Sequence, residues 1–176
     1  MDSFVELCEG KSFSDRDISA LCEGKVNVLE YGDLARMKTL DQALGRHGAC
    51  IILYETRERY GHWCCLIRTG NRSLEFFDPY GGEPDSQLDF VPDYFRSASG
   101  QDYPHLTYLM LTSPYETLEF NDIQLQRFKK DVNTSGRWCG LRVALADVPL
   151  AEFVDMFIDQ THSPDWYVTA LTLFVG

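Results

Sequence analysis

Three short segments of this 176-residue chain hold the side-chain types that nucleophilic hydrolysis needs. Gly61-His62-Trp63 offers an imidazole, and Phe77-Asp78-Pro79-Tyr80-Gly81 offers a carboxylate beside a proline. Ser135-Gly136-Arg137-Trp138-Cys139-Gly140 offers a hydroxyl and a thiol ahead of an apolar stretch. A carboxylate that holds an imidazole in one tautomer makes it a base. A thiol in the first turn of a helix has its thiolate favoured by free N–H groups and the helix dipole, and the same groups can hold an oxyanion. Taken singly these features are ordinary, since a His before Trp is commonly a packing or surface residue and Asp-Pro-Tyr-Gly is a common turn. Two positions that precede a glycine are candidate nucleophiles: 135 and 139.

The elements that must position them follow from periodicity. Ser14-Asp15-Arg16-Asp17 starts a short helix that Gly24 closes, and Thr39-Leu40-Asp41-Gln42 has capping-box spacing, with its helix ending near Gly45 to Gly48. Cys50 to Tyr54, His62 to Ile67 and Ser73 to Phe77 read as strands of an antiparallel meander, with a polar turn over Glu55 to Tyr60 and another at Gly70-Asn71. This puts His62 and Asp78 at one end of adjacent strands. Pro79 cannot extend a ladder, so Asp78 is expected at a rim. Leu106 to Leu111 reads as a further strand. Trp138, Leu141 and Leu145 share a helical face, as do Leu150, Phe153, Val154 and Phe157, and Ser163-Pro164-Asp165 opens a last helix. The expectation is an α+β domain spanning 1–176, with helices before and after a central mixed, largely antiparallel sheet.

Composition narrows the function classes. The apolar share of 44% is that of a globular chain. No apolar run approaches the roughly 18 residues a bilayer span needs, and Met1-Asp2-Ser3-Phe4 is not a basic leader, so a soluble, intracellular or virion protein without membrane partners is expected. Six cysteines without a CxxC pair read as reduced, buried thiols. His47, His105 and His162 have no second ligand at metal spacing, so neither a metal nor another cofactor is expected. A net charge of -11 argues against nucleic acid as partner, with Arg127-Phe128-Lys129-Lys130 the one basic run.

The order of these motifs, His-Trp, Asp-Pro-aromatic-Gly, Gln, then Cys-Gly before an apolar helix, resembles the adenovirus maturation protease and the related ubiquitin-like-protein proteases over roughly residues 47 to 147. The resemblance implies a papain-like cysteine peptidase with His62 as base, Asp78 as its orienter and Gln126 as side-chain donor of the oxyanion hole, Gln124 being the fallback. The family nucleophile stands as Cys-Gly-x-aromatic-Cys. That pattern aligns with Ser135-Gly136-Arg137-Trp138-Cys139, which places Ser at the nucleophile position. Cys139 remains the alternative nucleophile, although a helix starting at Ser135 would already engage the N–H of Cys139. Trp63, Gly136 and Trp138 are expected along the substrate cleft.

A serine where the surroundings favour a thiolate implies low or no activity, whether the replacement was introduced or is natural. The resemblance implies a polypeptide substrate: a viral structural or polyprotein precursor cut at Gly-containing sites. Ubiquitin-like conjugates, or an extended peptide merely bound by a silent cleft, are the alternatives. A base at a cleft rim packs little, so His62→Ala is expected to leave the melting temperature nearly unchanged.

Overall fold

A computed structural model describes residues 1–175 of the chain. Its sheet has five strands in chain order: β1 (Asn27–Glu30), β2 (Ala49–Arg57), β3 (Tyr60–Gly70), β4 (Ser73–Phe77) and β5 (Thr117–Phe120). The central β2-β3-β4 meander is antiparallel, whereas β1 runs parallel to β2 and β5 parallel to β4. Among the described residues, eight α-helices surround it: α1 (Asp2–Glu9), α2 (Asp15–Leu21), α3 (Leu40–Leu44), α4 (Asp93–Ala98), α5 (His105–Leu111), α6 (Ser135–Ala144), α7 (Leu150–Asp155) and α8 (Pro164–Leu171). The architecture is the expected α+β one, a mixed sheet flanked by helices.

Both faces of the central β2-β3-β4 meander are covered, which explains why these strands read as largely apolar runs, whereas β5 is exposed. Side chains alternate between faces along a strand. Ile51, Leu53, Trp63, Cys65, Ile67 and Phe77 therefore enter one core with residues of α2, α6, α7 and α8. Cys50, Ile52, Tyr54, Cys64, Leu66 and Phe76 enter a second core with α3 and α5. Two buried ionic groups tie the layers together. Arg142 on α6 makes paired bonds of 2.8 and 3.0 Å to Glu75 on β4. Asp165, at the start of α8, accepts from Thr134 Oγ1 (2.6 Å) and Trp138 Nε1 (3.1 Å).

The start and stop signals read from sequence fall where the helices begin. Ser14 accepts from the Asp17 N–H, and Ser163 accepts from the Trp166 N–H with Pro164 at the first helical position. Three local expectations are overturned. Leu106 to Leu111 lies in helix α5, because Leu106 and Leu109 are its buried residues while Tyr108 and Leu111 face out, a spacing of three and not two. The Glu55–Tyr60 turn is shorter than expected, since β2 continues to Arg57 and β3 begins at Tyr60 across a bulge. The N-terminal quarter also contains β1, and the edge strand β5 has no sequence-level counterpart. Each has four residues and exists through its parallel partner.

Candidate active site

The strand register brings His62 and Asp78 together. Cys65 pairs with Phe77, so one step further along the ladder Asp78 stands opposite Cys64. His62 lies two residues from Cys64 on the same face, making it the diagonal neighbour of Asp78. His62 Nε2 and Asp78 Oδ1 are 2.7 Å apart. Nε2 is thus engaged by the carboxylate, and Nδ1 is the ring nitrogen left for a reacting group. Tyr80 stacks on the imidazole, with centroids 4.1 Å apart and planes inclined by 7°.

Asp78 is fully buried, and both of its carboxylate oxygens accept hydrogen bonds. Oδ1 also accepts from the Tyr80 N–H at 2.8 Å, and Oδ2 accepts from Gln87 Nε2 at 2.9 Å. Burial alone would push this carboxyl up, but the bond and charge of His62, the Tyr80 N–H and Gln87 together hold it below the usual Asp range. An ionised carboxylate here keeps the imidazole oriented. Cys64 brings a third donor atom into the same corner, within 4.8 Å of those of His62 and Asp78. The 2.7 Å contact is already closed as a hydrogen bond, however, whereas two tetrahedral zinc ligands at about 2.1 Å would stand roughly 3.4 Å apart. Burial drives the Cys64 thiol well above its ordinary value, with the Asp78 charge adding to the effect.

Asp-Pro-Tyr-Gly makes a turn closed by Gly81 N–H to Asp78 C=O at 2.8 Å. Gly81 has φ +80°, and a Cβ there would sit 2.9 Å from the Ile123 carbonyl carbon. Only glycine lets the segment after β5 lie this close. That segment is pinned at several points. Asn121 Nδ2 donates to the Asp78 carbonyl at 3.0 Å, and the N–H groups of Leu125 and Gln126 both donate to the Pro79 carbonyl at 2.9 Å. Gln126 is thereby carried to the cleft, where its Nε2 donates to Tyr80 Oη (3.3 Å) and to the Val132 carbonyl (3.4 Å).

Ser135 is the first residue of α6. The first intrahelical donor is the Trp138 N–H, bonded to the Thr134 carbonyl at 3.0 Å. The N–H groups of Ser135, Gly136 and Arg137 precede it and have no acceptor within the helix. Ser135 Oγ accepts from the N–H of Trp63, the residue after His62, at 3.1 Å. Among the described residues no direct bond joins Ser135 to His62. The two side chains meet across a cleft of about 250 Å³ that Trp63, Tyr80, Gln87 and Gln126 also line.

Two residues expected along the cleft are elsewhere. Trp138 is fully buried, with its indole N–H on Asp165 and its ring edge-on to Phe157 at 4.7 Å. Gly136 faces the core, where a Cβ would come within 2.8 Å of Phe13 Cβ and 3.3 Å of Ile18 Cδ1. It serves the close packing of α2 on α6, not room for substrate. Cys139, the alternative nucleophile, is fully buried and donates to the Trp63 carbonyl at 3.3 Å. Burial, and beyond it the neighbouring Cys65, raises its thiol well above the ordinary value. It lies under the cleft without opening into it.

Sequence reasoning missed the supports. Gln87 and Asp165 act on the site residues from outside the three motifs, and Tyr80, inside the Asp78 motif, was read as a turn residue and not as the stacking partner of His62. Asp165 Oδ2 accepts from the Arg127 N–H (2.9 Å) and Nε (3.1 Å), while Oδ1 takes Thr134, so one carboxylate anchors the residues after Gln126 and before Ser135. The helix-start signal Ser163-Pro164-Asp165 was visible, but the inward-turned carboxylate was not.

No known protein-family profile matches the chain. It is 38% identical over 173 residues to "Uncharacterized protein V9" of Sputnik virophage, an alignment that spans 96% of this chain and 98% of the relative. Two crystal structures of an ASFV protease, one of them the selenomethionine protein, align over 93% of this chain and 67% of theirs. Their identity is 14% and their TM-scores are 0.46 and 0.44, too remote a likeness to bear on function.

Proposed function

For a chain that belongs to the family of the Sputnik virophage protein V9, we propose the activity of a papain-like cysteine peptidase whose nucleophile position is held by Ser135. The observation that carries this reading is the 2.7 Å pair of His62 and the buried, ionised Asp78, which opens on the same cleft as the N-terminal residue of α6. In this reading His62 Nδ1 takes the proton of the nucleophile at position 135. The nucleophile attacks a peptide carbonyl, and the carbonyl oxygen turns toward the free N–H groups of the first α6 turn and the amide of Gln126. His62 then returns the proton to the leaving amine, and water repeats the sequence on the acyl-enzyme. Asp78 never takes the proton; it keeps the ring in place.

The substrate in this reading is a polypeptide, with precursors of the virus's own structural proteins, cut at Gly-containing sites, as the first candidates. The virophage relative and the motif form support that choice over a deconjugating protease. No described helix is long and apolar enough to cross a membrane. A serine alcohol is far less acidic than a thiol, so the chain as it stands is expected to turn over slowly or not at all.

The test is Ser135→Cys followed by a Gly-Gly-type electrophilic peptide probe and mass spectrometry of the labelled residue. Labelling at position 135 that His62→Ala abolishes is the expected result. Labelling confined to other cysteines, or none, would reject the assignment.

A further inference from the structure

The chain carries 27 acidic and 16 basic residues, yet the cleft shared by His62, Gln126 and Ser135 inverts that balance. Its wall contains Arg59, Lys129 and Lys130 and, among the described residues, no Asp or Glu. All three cations are exposed, and none has a carboxylate within 4 Å of its charged group among the described residues. Asp131, adjacent in sequence, faces a neighbouring depression with Glu6 and Glu9, which Lys129 also borders.

An unpaired cationic wall in an anionic protein marks the place where a negative group is wanted, because the rest of the surface repels it. The wall is also amphipathic. Phe128 is 65% and Phe90 is 59% exposed, and their rings lie 5.9 Å apart, with Phe128 4.8 Å from Tyr80. These tilted rings continue the row of aromatic contacts that begins with Tyr80 on His62. A second cavity joins the first through Phe13, Leu53, Arg59 and Trp63, and it has the opposite character, being lined by Asp15, Glu30 and Asp33.

We propose that this cleft selects polypeptide segments carrying carboxylate side chains on one side of the scissile bond, placed against Lys129 and Lys130, with an apolar side chain on the Phe90–Phe128 rings. Arg59 stands at the seam, and the carboxylates beyond it exclude acidic residues from the other side. The proposal rests on the peptidase reading above and adds its substrate class.

The experiment separates the two. Fluorescence anisotropy of the unaltered chain is measured with two labelled peptides of one apolar, Gly-containing scaffold, one with two Asp and the other with two Lys. The Asp peptide is expected to bind about tenfold tighter at low salt, as two partly screened ion pairs allow. The gap should narrow as the Debye length falls toward about 8 Å at physiological ionic strength. Lys129→Glu combined with Lys130→Glu, both on the surface, should reverse the preference. Equal binding, or tighter binding of the Lys peptide, would overturn the proposal even if Ser135→Cys cleaves peptides. Selective binding of the Asp peptide with no cleavage by Ser135→Cys would leave charge selection standing and remove the peptidase reading. Displacement of the Asp peptide by duplex DNA at physiological salt would assign the wall to nucleic acid and overturn it also.

Discussion

Tyr80 lies flat on the imidazole of His62, 4.1 Å between ring centroids, while its hydroxyl accepts from Gln126 Nε2 at 3.3 Å. One side chain thus touches both the proposed base and the proposed oxyanion donor. Burial pushes its phenol up to about 12, so it stays neutral wherever the site would work. In a Ser135→Cys background, Tyr80→Phe keeps the stack and leaves Gln126 Nε2 bonded to the Val132 carbonyl alone. It should therefore affect turnover much less than Gln126→Leu, which is expected to lower kcat by about 10²-fold, as for loss of one oxyanion donor. Equal losses in the two variants would show that Gln126 acts only through Tyr80.

Position 135 and not Cys139 should carry the chemistry. Ser135→Cys creates peptidase activity, and adding Cys139→Ala leaves that activity within about twofold while destabilising the fold by about 1 kcal/mol, an ordinary cost for a buried substitution. Steady-state cleavage and urea unfolding of the single and double variants measure both. Abolition of activity by Cys139→Ala would reverse the assignment.

His62→Ala is no longer expected to be neutral for stability. The structure shows a ring with 12% side-chain exposure that stacks on Tyr80 and bonds a fully buried carboxylate. Its removal leaves Asp78 short of one donor, a loss of about 1–3 kcal/mol. Activity in the Ser135→Cys background should vanish, and the thermal midpoint should fall with it. An unchanged midpoint would mean that water replaces the imidazole fully.

Asp78 sets an acid limb. Its folded-state value is depressed, so its contribution is fully present above the ordinary value of 3.8 and is lost as pH falls through the depressed one. Glu9 and Glu55, whose values are raised by burial, act with the opposite sign. Urea midpoints between about pH 4 and pH 2 should therefore fall more steeply for the unaltered chain than for Asp78→Asn. Parallel slopes would show that the carboxylate is not held low.

The buried pair Glu75–Arg142 should be a stability element without a catalytic role. Glu75→Gln leaves a guanidinium uncompensated between β4 and α6 and should cost about 3–5 kcal/mol. Activity per folded molecule of the Ser135→Cys enzyme should stay the same. Active-site titration alongside denaturation distinguishes the two effects.

What the sequence determined by itself was local or nearly so. The β2-β3-β4 meander, the caps at Ser14 and Ser163, and the placing of His62 near Asp78 follow from alternation and turn chemistry within about 20 residues of chain. The family resemblance, and not periodicity, favoured position 135 at the helix start with Cys139 one turn further along, and α6 begins at Ser135. Only the tertiary structure decided the rest. β1 and β5 have four residues each and are strands because β2 and β4 accept them. Leu106 to Leu111 is a helix because Leu106 and Leu109 have a core to enter. Trp138 and Gly136 turned inward because α2 and α8 pack there, and Gln87, Tyr80 and Asp165 became supports of the site through contacts with Asp78, His62 and Thr134 that only the folded chain makes. Periodicity reports which face a residue uses, but not what covers that face. A side-chain hydrogen bond between distant segments leaves no spacing behind in the sequence, and the bonds of Ser135 with Trp63 and of Asp165 with Arg127 are of that kind.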